Sequence, residues 1–598
     1  MLFTHKILLP ISILLIHTLS VSSQAGCDCR STDSATPCTG QSIYMSVPAG
    51  TPNGGTAVNS EYTWNFNSSG DNARCGQFAN GDYWLAPAEG KTTVTITGIT
   101  SNGTVRADAN PTVESMGLLA GTRNYGNYSS NENIIPNLPV SYSAVTSIVA
   151  AVQRNEGIEG GCGTAAITGQ CIDSYHVVTI LPSVPAKSGS AMIRPNITGN
   201  SKKLISLADF DLTRLPSKSF LNGTDATGLE IIRRRWSHST EIFGLHNSAG
   251  TSAGYCSEGG RAYRAHILID DYGAGTAAAW YNDLMILFSD DHTIEEKQPA
   301  LTAMLAYGLD LYHAMYDAPP DTERYWGTGA TQHPGKFMPP VLLAALMIDP
   351  EYAASLKTAS SHIHDTLYTG PLELAQVHEG INGPVWGDIP ALGGVNFQGS
   401  YWANLLKSQC YDGAIGTCNA AIGSKNMFDP YGYIDGPPNK PGTSYLGSSL
   451  GVQRSMVATM FLMPEVCEIV NYDQLAEYVD RIMNYGVKTA DDPCVTPDSR
   501  EDFVNCDPYR NTACLYYGKT WGSLTPSDKQ SACITTPTPP YTKAGRFLSI
   551  DGNKIAAVYT SGQIESNWIT IRGTNSSCHA PDSSDRWVPA PSGFNLSQ

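Results

Sequence analysis

Thr276-Ala277-Ala278-Ala279-Trp280-Tyr281-Asn282-Asp283-Leu284-Met285-Ile286-Leu287-Phe288 is where this chain of 598 residues changes its period. Its apolar residues recur three and four positions apart, which lines them up along one side of an α-helix. The same spacing returns over Pro299 to Tyr316, Met338 to Ile348, Tyr352 to Ser360, Leu450 to Met463 and Tyr472 to Tyr485. At least six helices are therefore expected between about 230 and 490. Pro299 suits a first helical turn, and Asn471-Tyr472-Asp473 a cap before Gln474. Helical hairpins in series predict a curved array or toroid of antiparallel helices, joined by long aromatic- and glycine-rich connections of the kind that carry function.

Upstream the period is two. Thr92-Thr93-Val94-Thr95-Ile96-Thr97-Gly98-Ile99 and His176-Val177-Val178-Thr179-Ile180-Leu181 alternate, with Gly, Asn and Pro turns between such runs, and they predict a β-sandwich. Trp84, after the turn Asn80-Gly81-Asp82, is read as a core residue in preference to a sugar platform. Downstream, residues 491–598 are cysteine-rich and loop-like. Thr535 to Pro540 forms a stiff connector, and Phe547 to Ile550, Ile555 to Tyr559 and Trp568 to Ile571 are read as strands. The expected fold is multidomain α+β: a signal peptide over 1–25, a β-sandwich over 26–222, a helical α/α domain over 223–490, and a Cys-rich region with a small β part over 491–598.

Lys6 followed by the apolar run Ile7 to Ile16, then small and polar residues up to Ala25, reads as a secretory signal. That run is too short to span a bilayer. Secretion, with an extracellular location and no membrane insertion, is the expectation. The fifteen cysteines all follow residue 25 and cluster, as at Cys162 and Cys171 or Cys410 and Cys418, which reads as disulfide bonding with one cysteine left over. Asn67, Asn102, Asn127, Asn196, Asn222, Asn575 and Asn595 begin Asn-x-Ser/Thr sequons and are expected on solvent-facing loops. A net charge of -17 argues against nucleic acid and anionic membranes as partners, and leaves room for a sugar bound in a locally basic cleft.

The candidate chemistry lies in four clusters. The first is Tyr325-Trp326-Gly327-Thr328-Gly329-Ala330-Thr331-Gln332-His333-Pro334-Gly335-Lys336, read as a loop. It combines aromatic faces for stacking, an imidazole that exchanges protons near neutral pH and an ammonium that neutralises charge. The second is His362, His364 and Asp365 with His378-Glu379 and Trp386-Gly387-Asp388; the third is Tyr401-Trp402-Ala403-Asn404. The fourth is Tyr431 to Asp435 with Tyr445 and Arg454, an arginine whose alternative is pairing with a carboxylate.

Tandem helical hairpins joined to β segments, a secretory signal, and His, Tyr, Asn and Arg on the connections resemble the α/α-toroid polysaccharide lyases. The likeness covers roughly 230–490 and is one of architecture and composition. It implies cleavage of a uronate-containing extracellular polysaccharide by β-elimination. His333 or Tyr433 would then be the base, Tyr325 or Tyr445 the acid, and Lys336, Arg454 or Asn404 the partner of the uronate carboxylate. Trp326, Trp386, Tyr401, Trp402, His378 and Glu379, together with Asn404, would bind substrate.

No cofactor is expected. A metal at His362, His364 and His378 is the lesser option, because a two-residue spacing on a helix splays the rings apart. An inverting glycoside hydrolase, with carboxylates chosen from Glu379, Asp388, Asp270, Asp271 and Asp435, is the rival enzyme. A non-catalytic matrix or cell-wall glycoprotein is the rival outside enzymes. No Gly-x-x-x-x-Gly-Lys-Ser/Thr phosphate loop and no convincing dinucleotide fingerprint occurs in the sequence.

Overall fold

A computed structural model describes residues 29, 36–38, 40–46, 59–101, 103–111, 133–153, 172–237, 273–317, 332–364, 377–380, 383–386, 444–485, 487–490, 545–548 and 562–574. The class is α+β, with most strands first and most helices after them.

The strands β1 (Thr36–Cys38), β2 (Gly40–Ser46), β3 (Asn59–Asn67), β4 (Ala73–Gln77), β5 (Tyr83–Ala86), β6 (Val94–Ser101), β7 (Val105–Ala109), β8 (Val140–Tyr142), β9 (Thr146–Gln153) and β10 (Ile172–Ile180) form two sheets. One is six-stranded, in the order β1-β4-β5-β10-β9-β7, and the other four-stranded, in the order β2-β3-β6-β8. Strands β5 and β10 pair in parallel; the other neighbours are antiparallel. Alternation decides which face is inside. Tyr62, Trp64 and Phe66 of β3 are buried while Asn65 faces out. They share one core with Leu85, Ala107, Ile148, Ala150, Val178 and Ile180 of the other sheet. A disulfide from Cys29 to Cys75 ties the N-terminal segment to β4.

Trp84 is a core residue, since it points away from Tyr83 and Leu85 into a small cluster with Phe78, Ala86 and Leu181. Its indole N–H donates to the Ser188 carbonyl at 3.0 Å. Gly189, at φ +89°, is required beside it: a Cβ there would stand 2.5 Å from the indole nitrogen.

After a two-strand ribbon, β11 (Met192–Ile193) with β12 (Ile205–Ser206), come α1 (Ala226–Ser237), α2 (Gly273–Leu287), α3 (Ile294–Asp317), α4 (Gln332–Leu346) and α5 (Glu351–His364). A hairpin, β13 (Val377–Gly380) with β14 (Gly383–Trp386), stands next, followed by α6 (Ser444–Leu462), α7 (Pro464–Val470) and α8 (Asp473–Tyr485). Strand β15 (Val487–Ala490) pairs with β16 (Gly545–Leu548), and α9 (Gly562–Arg572) closes the described chain. All six expected helices are present. One apolar core joins side chains from α1 through α9. Helix α6 is at its centre: every residue from Gly451 to Leu462 is buried, and α2, α4, α7, α8 and α9 pack around it. No helix among the described residues is long and apolar enough to cross a membrane.

Several local expectations are corrected. Helix α3 begins before its apolar period, at a capping box in which the Thr293 N–H donates to Glu296 Oε2 at 2.8 Å and the Glu296 N–H to Thr293 Oγ1 at 3.3 Å. Pro299 therefore sits in the second turn. Asn471 closes α7 instead of opening α8: it adopts a left-handed φ of +48° and its N–H reaches the Cys467 carbonyl at 2.7 Å. Trp568 to Ile571 is helical, not a strand. Ile564, Trp568 and Ile571 are spaced by four and three residues, so a helix buries all three while leaving Ile569 81% exposed. Finally, Asn196 begins a sequon yet is wholly buried. Residues 555–559, Thr535 to Pro540 and the 1–25 segment lie outside the described residues.

Candidate functional site

The loop expected over 325–336 is helical from Gln332 onward. His333 is the second residue of α4 and Lys336 the fifth, three positions further on. Tyr445 is the second residue of α6. Helices α2, α4 and α6 all touch one another. Tyr325, Trp326, Tyr401, Trp402, Asn404 and Tyr433 lie outside the described residues, as do the carboxylates Asp270, Asp271, Asp365, Asp388 and Asp435.

His378, Glu379 and Trp386 stand on the β13–β14 hairpin, where Val377 pairs with Trp386, His378 with Val385 and Glu379 with Pro384. The hairpin lies against α8. His362 and His364 belong to the last turn of α5, where a two-residue step turns the positions about 200° around the axis. Among the described residues no three His, Cys, Asp or Glu side chains gather as metal ligands would.

Arg454 has taken the alternative of carboxylate pairing. It is wholly buried within α6, and its Nη1 donates to Glu565 Oε1 of α9 at 2.6 Å. A guanidinium engaged in this way anchors α9 to the central helix.

The polar centre that sequence reasoning missed lies where the sheets meet the helices. Arg194, just after β11, is 1% exposed. Its Nε donates to Asp82 Oδ2 at 2.6 Å, its Nη1 to Asp310 Oδ1 of α3 at 2.7 Å, and its Nη2 to Asp310 Oδ2. Asn80 Nδ2 donates to Asp82 at 2.7 Å, and the Ile197 N–H to Asp310 at 3.1 Å. From α1, the Ser237 hydroxyl reaches the Asn80 carbonyl at 2.7 Å. Gly81 permits this approach: at φ +90° it also leaves room for Arg233, whose Nη1 would be 1.9 Å from a Cβ. Burial pushes the Asp82 carboxyl above its ordinary range despite the opposing pull of Arg194 and Asn80. Asp283 in α2 is also raised by burial, and it accepts from Arg235 at 2.6 Å and from the Trp236 indole at 2.7 Å. One signal was legible: Asp310 in Leu309-Asp310-Leu311 and Asp283 in Asn282-Asp283-Leu284 are carboxylates inside apolar helices, and such groups are buried only with partners.

Two histidines are held neutral. His176 is sealed between the sheets among the Tyr62, Trp64 and Tyr83 rings, with centroids 5.6 to 6.0 Å away, and burial lowers it to about 3. His313 on α3 is lowered to about 4 by burial, with Lys202 and Lys203 adding to the effect. Neither exchanges protons near neutral pH.

No family model, curated protein or solved structure matches the chain. The chemistry therefore has to be read from the residues alone. Asp82, Arg194 and Asp310 satisfy one another and hold the halves together. Of the residues singled out in the sequence, His333 and Lys336 stand near the start of α4, Tyr445 near the start of α6, and His378, Glu379 and Trp386 on the β13–β14 hairpin.

Proposed function

We propose that the chain is a secreted polysaccharide-processing enzyme, a lyase that cleaves a uronate-containing glycan by β-elimination. In this reading a β-sandwich over 26–222 precedes an α/α-toroid-like domain over 223–490, and the region 491–598 contributes α9 to the helical core.

The observation that carries the proposal is the arrangement of α2, α4 and α6. They pack on one another. Each is followed by a short connection (288–293, 347–350 and Met463) and preceded by a long one (238–272, 318–331 and 365–443). In an alternating array their N-terminal ends share one side of the molecule. In sequence, Tyr325 and Trp326 fall in the segment before α4, and Tyr401, Trp402, Asn404 and Tyr433 in the segment before α6. Helix N-termini carry partial positive charge, which favours a bound carboxylate. The Cys29–Cys75 disulfide suits an oxidising, extracellular setting.

The chemistry assigned to that end is as follows. Lys336 or Asn404 neutralises the uronate carboxylate, because a proton beside an ionised carboxylate is too weakly acidic to be removed. His333 or Tyr433 takes the C5 proton, the C5–H electrons form the C4–C5 double bond, and the C4–O4 bond breaks. Tyr325 or Tyr445 protonates the departing O4. Trp326, Trp386, Tyr401 and Trp402 supply faces for the sugar rings, and His378 and Glu379 polar contacts.

The test is incubation of the purified protein with alginate, glucuronan, pectin and glycosaminoglycans, recording ultraviolet absorbance of the unsaturated product together with reducing ends. Both signals rising together is the expected result. Reducing ends without absorbance would mean hydrolysis, and neither signal would mean a non-catalytic glycan-binding protein.

A further inference from the structure

The sequons Asn196-Ile197-Thr198 and Asn222-Gly223-Thr224 look equivalent in the sequence, but their side chains have opposite surroundings. Asn196 is wholly buried, and its Nδ2 donates to the carbonyls of Thr198 at 2.8 Å and Ser201 at 3.1 Å. Its own carbonyl accepts from the Ser147 hydroxyl at 3.2 Å and the Lys202 ammonium at 2.7 Å. Lys202 also binds the carbonyls of Ile197 at 2.9 Å and Thr198 at 3.1 Å, and the Ile197 N–H is held by Asp310. The amide nitrogen of Asn196 is therefore a structural donor in a turn wound around a lysine and fastened to α3.

Asn222 is exposed. Its backbone is pinned from both sides, its N–H donating to Gln563 Oε1 at 2.6 Å and its carbonyl accepting from Gln563 Nε2 at 3.0 Å. The fold thus holds the main chain of Asn222 against α9 while its side chain stays at the surface.

We propose that Asn222 is an N-glycan attachment site of the folded protein and that Asn196 is excluded from that modification by the fold. In the transfer, the amide nitrogen displaces the pyrophosphate of a lipid-pyrophosphate-linked oligosaccharide. The sugar C1–N bond forms, the C1–O bond breaks, the amide loses one proton and the lipid pyrophosphate leaves. At Asn222 the product projects into solvent. At Asn196 the sugar would replace a hydrogen that bonds Thr198 or Ser201 and would have to occupy a sealed interior, so a chain modified there cannot close the turn onto Asp310. The inference rests on passage through a secretory pathway and is independent of the lyase chemistry.

The experiment expresses the chain in a eukaryotic secretory host, with the host's own leader in place of residues 1–25. The folded secreted protein is deglycosylated enzymatically in heavy-oxygen water, which marks each formerly occupied Asn, and its peptides are mapped by mass spectrometry. The label is expected on Asn222 and absent from Asn196. Asn222→Gln should remove one gel-mobility step with the melting temperature unchanged, whereas Thr198→Ala should leave mobility as it was. An unlabelled Asn222, or label on Asn196 in folded secreted protein, would overturn the proposal.

Discussion

Arg194 and Asp310 form a two-pronged ion pair sealed from solvent: Nη1 donates to Oδ1 at 2.7 Å and Nη2 to Oδ2, across 116 residues of sequence. The remaining face of the guanidinium holds Asp82, from the turn before β5. One side chain thereby links the sheets, the β11–β12 ribbon and α3. Removing it leaves two buried carboxylates uncompensated, and the expected cost of Arg194→Met is about 3–5 kcal/mol. Arg194→Lys should also destabilise, because an ammonium cannot make the parallel pair of bonds. Urea unfolding measures both; a midpoint for Arg194→Met equal to that of the parent would show that the junction contributes nothing.

The pH dependence follows from His176. Its folded value of about 3 lies below the ordinary 6.5, so the folded state binds fewer protons than the unfolded chain. Its contribution is therefore complete above about pH 6.5 and is lost as pH falls from there towards 3, by about 1.4 kcal/mol per pH unit. His313, lowered to about 4, acts in the same direction over a narrower window. Asp82, raised by burial, acts in the opposite sense, so a variant is needed to isolate the histidine. His176→Phe should lose about 2 kcal/mol less stability than the parent between pH 7 and pH 5. Parallel losses in parent and variant would contradict a buried neutral imidazole.

Helix α9 supplies a contrast between adjacent residues. Trp568 packs on Phe461 with ring centroids 5.6 Å apart and donates to Asp480 at 3.2 Å, while Ile569 faces water. Trp568→Ala is expected to cost about 3–5 kcal/mol, and Ile569→Ala to stay within about 0.5 kcal/mol. Comparable losses at both positions would instead favour a strand buried on two faces.

Arg454 and His333 separate stability from chemistry. Arg454→Met removes the partner of Glu565 inside the helical core, with an expected loss of about 3 kcal/mol and a lower melting temperature. His333→Ala should leave the melting temperature unchanged while lowering the rate of unsaturated-product formation about 10²–10⁴-fold on whichever uronate glycan is cleaved. Full activity in the His333 variant would remove that imidazole from the mechanism.

The helices were legible because burial on one side imposes a period, and a period survives in a single sequence. Trp568-Ile569-Thr570-Ile571 was not legible for the converse reason: four β-favouring residues are too few to reveal a period, and only the partner surface of Phe461 and Asp480 selects the helix. Thr293-Ile294-Glu295-Glu296 was a readable start signal for α3 that the later Pro299 obscured. Of the candidate site, the residue types at His333, Lys336 and Tyr445 could be picked out, while their places near the N-terminal ends of α4 and α6 required the backbone. Arg454 was ambiguous in principle, since an arginine in an apolar helix reads alike whether its partner is substrate or Glu565.

The alternation of β3 and the three-and-four spacing of α2 to α8 are local consequences of covalent geometry, and residue order alone decides them. The partners of Arg194, the burial of Asn196 and the central place of α6 are long-range, because a charge or an amide has no preferred mate until folding has excluded water from around it. Local periodicity thus dictates the elements, and desolvation at their contacts dictates which polar side chains become structure and which stay free for chemistry.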